Sequence, residues 1–401
     1  MDAILLLLAL IGHTTLWIAL INRLHGLVMP KWVTGGLTLA GFAALGLIPI
    51  WFGPRLVREG FDGWFPIVLP WLGYLVVCWG VAVVTIGRWI WRHVLRRPPD
   101  VLRWHRSRSL DLTESGRDEE DHAHHFLVHL PGNETLQLDV EERAIDIPRL
   151  DPALDGLMIL HLSDLHFTGR VGKAYFRDVV QMGNQLEPDL IAITGDLVDN
   201  NDCIDWIPDT LGRFKSRHGT YFVLGNHDLQ VETGRLRRTL VDSGLIDLGG
   251  RWLERPIKGK DSSVVLAGNE LPWIPPAADM QGAPPPSAEG GPPRILLSHS
   301  PDQLDWARAH DFDLLLAGHT HGGQIRFPLI GPILLPSLRG VKYSSGIFHA
   351  PPTVMHVTRG VSGRLPIRLN CPPEIAKLTL HSGGLEFGTP RSEVGSRKSE
   401  N

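Results

Sequence analysis

From Val33 to Phe52 no residue carries a charge. Two further stretches are nearly as apolar: Ala3 to Ile21, broken only by His13, Thr14 and Thr15, and Trp64 to Ile86. A helix needs about 20 such residues to cross roughly 30 Å of hydrocarbon, and within lipid only helices or closed barrels satisfy their own backbone. Three transmembrane helices over 3–21, 33–52 and 64–86 are therefore expected, with the remaining chain folding outside the bilayer. Trp51, Trp64, Trp89 and Trp91 stand at the ends, where an interfacial aromatic belt belongs. The first stretch has no basic segment before it and no A-x-A cleavage site, so it reads as a retained anchor rather than a signal peptide. Gly36, Ala40 and Ala44 put small residues one turn apart in the second, a pattern that can serve helix packing.

Orientation follows from the basic residues. Arg23 and Lys31 flank the first loop, and Arg88, Arg92, Arg96, Arg97, Arg103, Arg106 and Arg108 crowd the exit of the third span. The second loop carries Arg55 and Arg58, but its other flank is acidic or neutral, so the positive-inside rule puts the amino terminus outside and everything after residue 88 in the cytoplasm. The expectation is a multi-pass protein of the inner, cytoplasmic membrane with its soluble part inside.

Residues 1–95 thus form a membrane region and 96–153 a connector. Within the connector, Phe126–Leu130 and Leu136–Val140 flank Pro131-Gly132-Asn133 and predict a short β-hairpin. The Asp121-His122-Ala123-His124-His125 run reads as a solvated loop sooner than as a metal site. From 154 to 382 the rhythm is that of an α/β domain, with short apolar runs at 158–160, 190–193, 221–224, 264–267, 295–297 and 314–317. Helical patterns fall near 174–185, 204–215 and 233–242. The Pro-rich stretch 271–293 predicts a long, poorly ordered insertion loop, and the polar tail 383–401 a disordered end. A net charge of -4 points to no nucleic-acid partner. The 3 cysteines are far apart and imply neither a disulfide framework nor a zinc site.

Polar clusters recur where the apolar runs stop. They are Ser163-Asp164-Leu165-His166, Gly195-Asp196-Leu197-Val198-Asp199, Gly225-Asn226-His227-Asp228, Ser298-His299-Ser300-Pro301 and Gly318-His319-Thr320-His321. Any one of them alone is an ordinary turn or helix cap. As a series they sit where α/β sheets gather ligands, at strand carboxyl ends, and burying them unpaired would be costly unless cations compensate. Imidazole, carboxylate and an Asn amide oxygen suit Mn, Fe, Zn or Co. Two such ions sharing a carboxylate can clamp a phosphate for in-line attack, while a histidine that binds no metal protonates the leaving oxygen. His227 is the candidate for that proton transfer, with Asp228 orienting its ring. On an extended strand, His319 and His321 would share one face and Thr320 would point away.

In order and without a broken position, the series resembles the calcineurin-like metallophosphoesterase family over roughly residues 155 to 380. The block GHTHGGQI from Gly318, and Pro366-Ile367-Arg368-Leu369-Asn370 followed by Pro373-Glu374-Ile375, are similar to a membrane-associated bacterial branch. That branch comprises the UDP-2,3-diacylglucosamine pyrophosphatase-like phosphodiesterases. The resemblance implies a four-layer αββα sandwich, here preceded by the transmembrane helical region, and a cofactor of two divalent metal ions (Mn, Fe, Zn or Co). It implies that Asp164, His166 and His321 hold the first metal, that Asp196 bridges, and that Asn226, His299 and His319 hold the second. His227 would assist the leaving group and Asp228 would support His227. Gly268-Asn269-Glu270-Leu271 departs from the acidic residue that relatives often carry there, which bears on the substrate-facing loop. Asp199 is left to cap a helix or steady its loop, and Arg326 and Arg359 read as structural pairs.

The function expected is a membrane-anchored, dimetal-dependent phosphoesterase that hydrolyses phosphodiester or pyrophosphate bonds. Its partners are the bilayer and a phosphate-containing small molecule, lipid-linked in the manner of UDP-diacylglucosamine or a phospholipid. A hydrolase of soluble nucleotides or phosphoproteins is the alternative. A non-catalytic metal-binding membrane protein ranks lower, because no ligand position is lost.

Overall fold

The structure, a computed structural model, describes residues 2–59, 69–95, 98–116 and 126–383. Trp64–Val68, Arg96, Arg97, the charged run from Arg117, the Asp121–His125 histidine cluster and the tail from residue 384 lie outside the described residues. Three long helices come first: α1 (Asp2–His25), α2 (Lys31–Glu59) and α3 (Leu69–Ile90). All three are long and apolar enough to cross a membrane. Arg23, Arg58 and Arg88 fall in their last turns, where a cation meets the helix carboxyl end favourably. Backbones of α1 and α3 approach closely at Gly12, where a Cβ would lie 1.7 Å from the Cys78 carbonyl oxygen. Gly36, by contrast, faces open space, so the small-residue pattern of α2 is not the packing face. His13 joins all three helices: Nδ1 lies 2.5 Å from the Tyr74 hydroxyl and Nε2 lies 3.1 Å from the Leu45 carbonyl.

Beyond the helices run β1 (Leu102–Asp111), the single turn α4 (Thr113–Gly116), β2 (Gln137–Ile147), β3 (Leu157–Leu162), α5 (Lys173–Gln185), β4 (Leu190–Thr194) and β5 (Thr220–Val223). Next come α6 (Thr233–Asp242), β6 (Ile246–Asp247), β7 (Trp252–Pro256), β8 (Ser263–Asn269), β9 (Arg294–Ser298), α7 (Leu304–Ala309) and β10 (Leu314–Ala317). A two-stranded ribbon, β11 (Arg326–Phe327) and β12 (Gly331–Pro332), precedes β13 (Gly346–Ala350), β14 (Thr353–Val357) and β15 (Glu374–Ser382). One sheet orders as β1-β2-β15-β3-β4-β5-β6 and the other as β13-β14-β10-β9-β8-β7.

Strand periodicity assigns the layers. Leu190 and Ala192 of β4, with Tyr221 and Val223 of β5, face Leu266, Ile295, Leu314 and Leu316 of the other sheet and build the core between the sheets. The alternate residues Ile191, Ile193 and Phe222 pack outward against Tyr175, Phe176 and Val179 of α5 and Leu236 and Leu240 of α6. On the far side, Leu296, Leu315 and Ala317 pack against Leu304 and Ala307 of α7. The α/β sandwich expected from the sequence is therefore present, helix–sheet–sheet–helix.

Three local expectations are corrected. The hairpin around Pro131-Gly132-Asn133 does not form: Phe126–His129 is a 3-10 turn. The Asn133 amide locks that turn by donating to the Leu127 and Pro366 carbonyls, while β2, buried along most of its length, pairs with β1 on one side and β15 on the other. The segment read as a connector thus supplies two strands to the first sheet. The helix near 204–215 is two 3-10 segments, Asn201–Asp209 and Leu211–Arg213, with Pro208 unable to donate a backbone hydrogen bond. The 271–293 insertion is tied down rather than loose: the Ser287 hydroxyl donates to Asp313 at 2.7 Å and Arg294 donates to the Pro284 carbonyl at 2.7 Å.

Arg359 is structural, as expected. Its guanidinium lies 2.9 Å from Asp139, 2.8 Å from Glu141 and 3.0 Å from Glu374, all with little exposure. Burial favours the neutral acid at Glu374, but Arg359 and Arg143 outweigh it and hold that carboxyl well below the usual range. Removing one partner of such a buried group leaves uncompensated charge. Arg359→Ala is expected to cost about 3 kcal/mol or more, lowering the thermal midpoint of the detergent-solubilised chain by roughly 6–12 °C.

Candidate metal centre

The parallel strands β3, β4, β5, β9 and β10 end at one edge of the sandwich, and each delivers its polar cluster there. The turns that follow are unusual. Asp164, His166, Asp196, His319 and His321, five of the seven candidate ligands, hold φ between 46° and 69°. That left-handed region costs a non-glycine residue about 1–3 kcal/mol and persists where the surroundings enforce it. Here a hydrogen-bond lattice does so. Asp164 N donates to the Gly195 carbonyl, His166 N to the Asp196 carbonyl, and His319 N to the Asp164 carboxylate at 3.0 Å. His319 and His321 are thus aimed by turns rather than by the period of a strand, because β10 stops at Ala317 and a 3-10 turn covers His321–Gly323. Glycine is required beside them: a Cβ at Gly318 would come 1.9 Å from Ser163 Oγ, and one at Gly225 would come 2.3 Å from Asp196 Oδ1.

Two donor clusters share Asp196, Asp164–His166–Asp196–His321 and Asp196–His299–His319, with ligand atoms within 4.8 Å of one another in each; a third group, His166–Asp199–His227, adjoins the first. In the first, His166 Nε2 lies 3.1 Å from His321 Nε2, which is 3.3 Å from Asp164 Oδ1. In the second, His299 Nε2 lies 3.1 Å from Asp196 Oδ2 and 3.2 Å from His319 Nδ1. The other His299 nitrogen, Nδ1, donates to the Thr194 carbonyl at 2.7 Å, which turns Nε2 inward. Asn226 Oδ1 is buried at this place with no hydrogen-bond partner. A buried orphan oxygen is expensive; a cation is the partner that suits it. Carboxylate, imidazole and amide oxygen together fit a binuclear site for divalent ions.

At His319 and His321 the electrostatics agree. Burial, with His299 next, drives the His319 imidazole down to about 3. Burial, with His166 next, holds His321 well below its ordinary value. Both rings are therefore neutral, the form that donates a lone pair to a metal. At His299 burial works downward, but Asp196 and Asp164 outweigh it and raise the ring to about 9. Burial alone would raise Asp196; the facing His299, His166 and His227 instead hold it well below the carboxylate range.

Asp199 and Asp228 exchange the places expected of them. Asp199 sits between two rings, with Oδ2 2.6 Å from His166 Nδ1 and Oδ1 2.6 Å from His227 Nδ1. Asp228 makes no contact with the His227 ring; its carboxylate accepts from Leu197 N, Val198 N and Gly225 N and pins the β4 and β5 loops together. Burial, with Asp196 next, raises its carboxyl to about 7. Three residues had no role in the sequence reading. Trp273, from the Pro-rich loop, lies with ring centroids 4.8 Å from His319 and 5.5 Å from His299. Buried Arg368 donates to the His321, Arg359 and Ser362 carbonyls and fixes the loop bearing His321. Glu270 accepts from Leu224 N at 2.6 Å and pairs with Arg237, so it serves the scaffold. Arg326 donates to Gly322 O and Ser345, likewise structural.

Comparison with known proteins matches this geometry. The family profile described as Calcineurin-like phosphoesterase covers residues 157–323. Phosphodiesterase YaeI of Escherichia coli is 33% identical over 227 residues, 55% of this chain and 81% of that protein. The uncharacterized metallophosphoesterase YkuE of Bacillus subtilis is 31% identical, covering 62% of this chain and 87% of that protein. A bovine transmembrane protein with metallophosphoesterase domain is 32% identical over 59% of this chain and 56% of its own. The chain belongs to the calcineurin-like phosphoesterase family, and its apolar helices and paired metal clusters make it a membrane-associated phosphoester hydrolase.

Proposed function

We propose that the protein hydrolyses a phosphodiester or pyrophosphate bond of a lipid-linked substrate at the cytoplasmic face of the inner membrane. The observation that carries this reading is the pair of clusters sharing Asp196 in a domain hydrogen-bonded to its own membrane helices: Asn22 of α1 donates to the Ile333 carbonyl and accepts from Leu335 N. The activity that names the Escherichia coli relative, phosphodiesterase, supports the bond class. Arg23, Lys31, Arg88 and Arg92 gather at the helix ends nearest the domain, which supports the cytoplasmic side.

Asp164, His166, Asp196 and His321 would hold one divalent ion, and Asp196, Asn226, His299 and His319 the other. Bound, the two ions supply Lewis acidity to a phosphoryl group. His227 is the proton donor in this reading: Asp199 accepts from Nδ1 and orients the ring, leaving Nε2 to face the leaving oxygen. Asp199 is a positioning residue for both His166 and His227. Asp199→Asn is expected to lower turnover and metal affinity by about 10–100-fold, read by steady-state kinetics and metal titration of one preparation.

The reading is tested on the full chain in detergent, reconstituted with Mn and offered lipid-linked and soluble phosphodiesters. Hydrolysis of the lipid-linked esters, abolished by chelation and restored by metal, is the expected result. Preference for soluble nucleotides would move the assignment to that substrate class, and no hydrolysis of either would refute the reading.

A further inference from the structure

We propose that the apolar stem of a membrane-borne phosphoester reaches the metal centre laterally, through a cavity roofed by the α1–α2 loop. The proposal rests on the hydrolase reading above. The cavity has a volume of about 190 Å³ and a mixed lining in which apolar side chains join Ser300, Asp302 and Gln303. Leu27 and Val28 of the α1–α2 loop line it together with Pro336 and Leu338. Trp273 and His319, the latter a candidate metal ligand, line the same cavity with their rings packed together. One space therefore joins the mouth of the helix bundle to the metals. The only carboxylate among the lining residues, Asp302, is already engaged by the Ser337 hydroxyl and Leu338 N, each at 2.8 Å. It braces the wall instead of confronting a phosphate.

The surface outside the cavity identifies the occupant. Leu329, Ile330 and Leu334 are 77%, 64% and 48% exposed, and across from them Val28 and Trp32 are 62% and 81% exposed. A soluble surface rarely gathers such a patch. This one is tied to the span ends: Trp89 of α3 donates to the Leu329 carbonyl at 2.6 Å and Asn22 of α1 to the Ile333 carbonyl at 2.8 Å. It is continuous with the apolar spans at the level where α1 and α3 end and α2 begins, so it faces lipid. A site for a whole small molecule occupies about 300–1,000 Å³. The smaller cavity here takes a segment of chain beside the phosphate, while the rest of the lipid stays in the bilayer.

Two esters with the same reacting centre test the route: p-nitrophenyl hexadecyl phosphate and p-nitrophenyl methyl phosphate, given to the intact Mn-loaded protein in detergent. Each buried methylene contributes a factor of about four, so two seated methylenes predict a hexadecyl-to-methyl ratio in kcat/KM of at least tenfold. The double variant Leu27→Ser/Val28→Ser, and separately Leu338→Ser, are expected to collapse that ratio, mainly through KM. Partition of the long ester into micelles acts equally on all three proteins, so the difference between them reads the cavity. A wild-type ratio near one, or a ratio unchanged in both variants, overturns the lateral route while leaving the hydrolase reading intact. Hydrolysis of neither ester by the wild type sinks that reading and the route with it.

Discussion

Asp196→Asn is expected to reduce bound metal from two ions per chain to well below that and to lower hydrolysis by a thousandfold or more, about 4 kcal/mol of lost transition-state stabilisation. Asp196 is the only residue common to both donor clusters. Its Oδ2 faces His299 Nε2 at 3.1 Å and His166 Nε2 at 3.7 Å, while Oδ1 accepts from His227 N at 2.8 Å. Asparagine keeps the shape and the backbone contact but removes the charge that two cations would share. The bridging position is tightly packed: a Cβ at Gly225 would come 2.3 Å from Asp196 Oδ1. Elemental analysis after dialysis gives the metal content, and circular dichroism of the same sample checks the fold. Two full equivalents of metal in the variant would refute the bridging role.

Much of this centre was legible in the sequence because each strand is short, buried and followed at once by its polar residues. Leu190 to Ile193 and Leu314 to Ala317 announce buried parallel strands by composition alone, and Asp196 and His319 follow within a few residues. Position at a strand end is a local property. Partnership is not. Asp199 and Asp228 are both acids near His227 in sequence or space, and proximity along the chain favoured Asp228. The β5 turn instead directs the Asp228 carboxylate back onto three backbone amides, and the β4 loop delivers Asp199 to the rings.

Trp273 and the strand β1 escape a sequence reading for a related reason, and β2 is legible only over 136–140, as half of a hairpin. A tryptophan within a proline-rich loop has no periodic signal to place it, and its packing on His319 is set by where β8 and β9 leave the sheet. β1 alternates charge and small polar residues, and it becomes a strand because β2 offers an edge to pair with. Only the folded sheet reveals that edge.

His227→Ala is expected to leave metal content unchanged and to lower turnover by roughly 10²–10⁴-fold on esters with poor leaving groups, and far less on p-nitrophenyl esters. The His227 ring belongs to neither cluster that contains Asp196; its donor neighbours are Asp199 and His166, and its side chain is 19% exposed, against 1% for His166. Asp199 fixes Nδ1, and the ring meets His166 edge-on with centroids 4.9 Å apart, so its remaining nitrogen has a defined direction. A proton donor matters in proportion to the negative charge that builds on the departing oxygen, and a stable phenolate needs little help. The dependence of log turnover on leaving-group pKa should therefore steepen in the variant. A structural fault would lower all substrates alike and would also reduce metal binding. Parallel dependences for wild type and His227→Ala, at equal metal content, would remove His227 from the proton transfer and leave Asp199 as a holder of His166 alone.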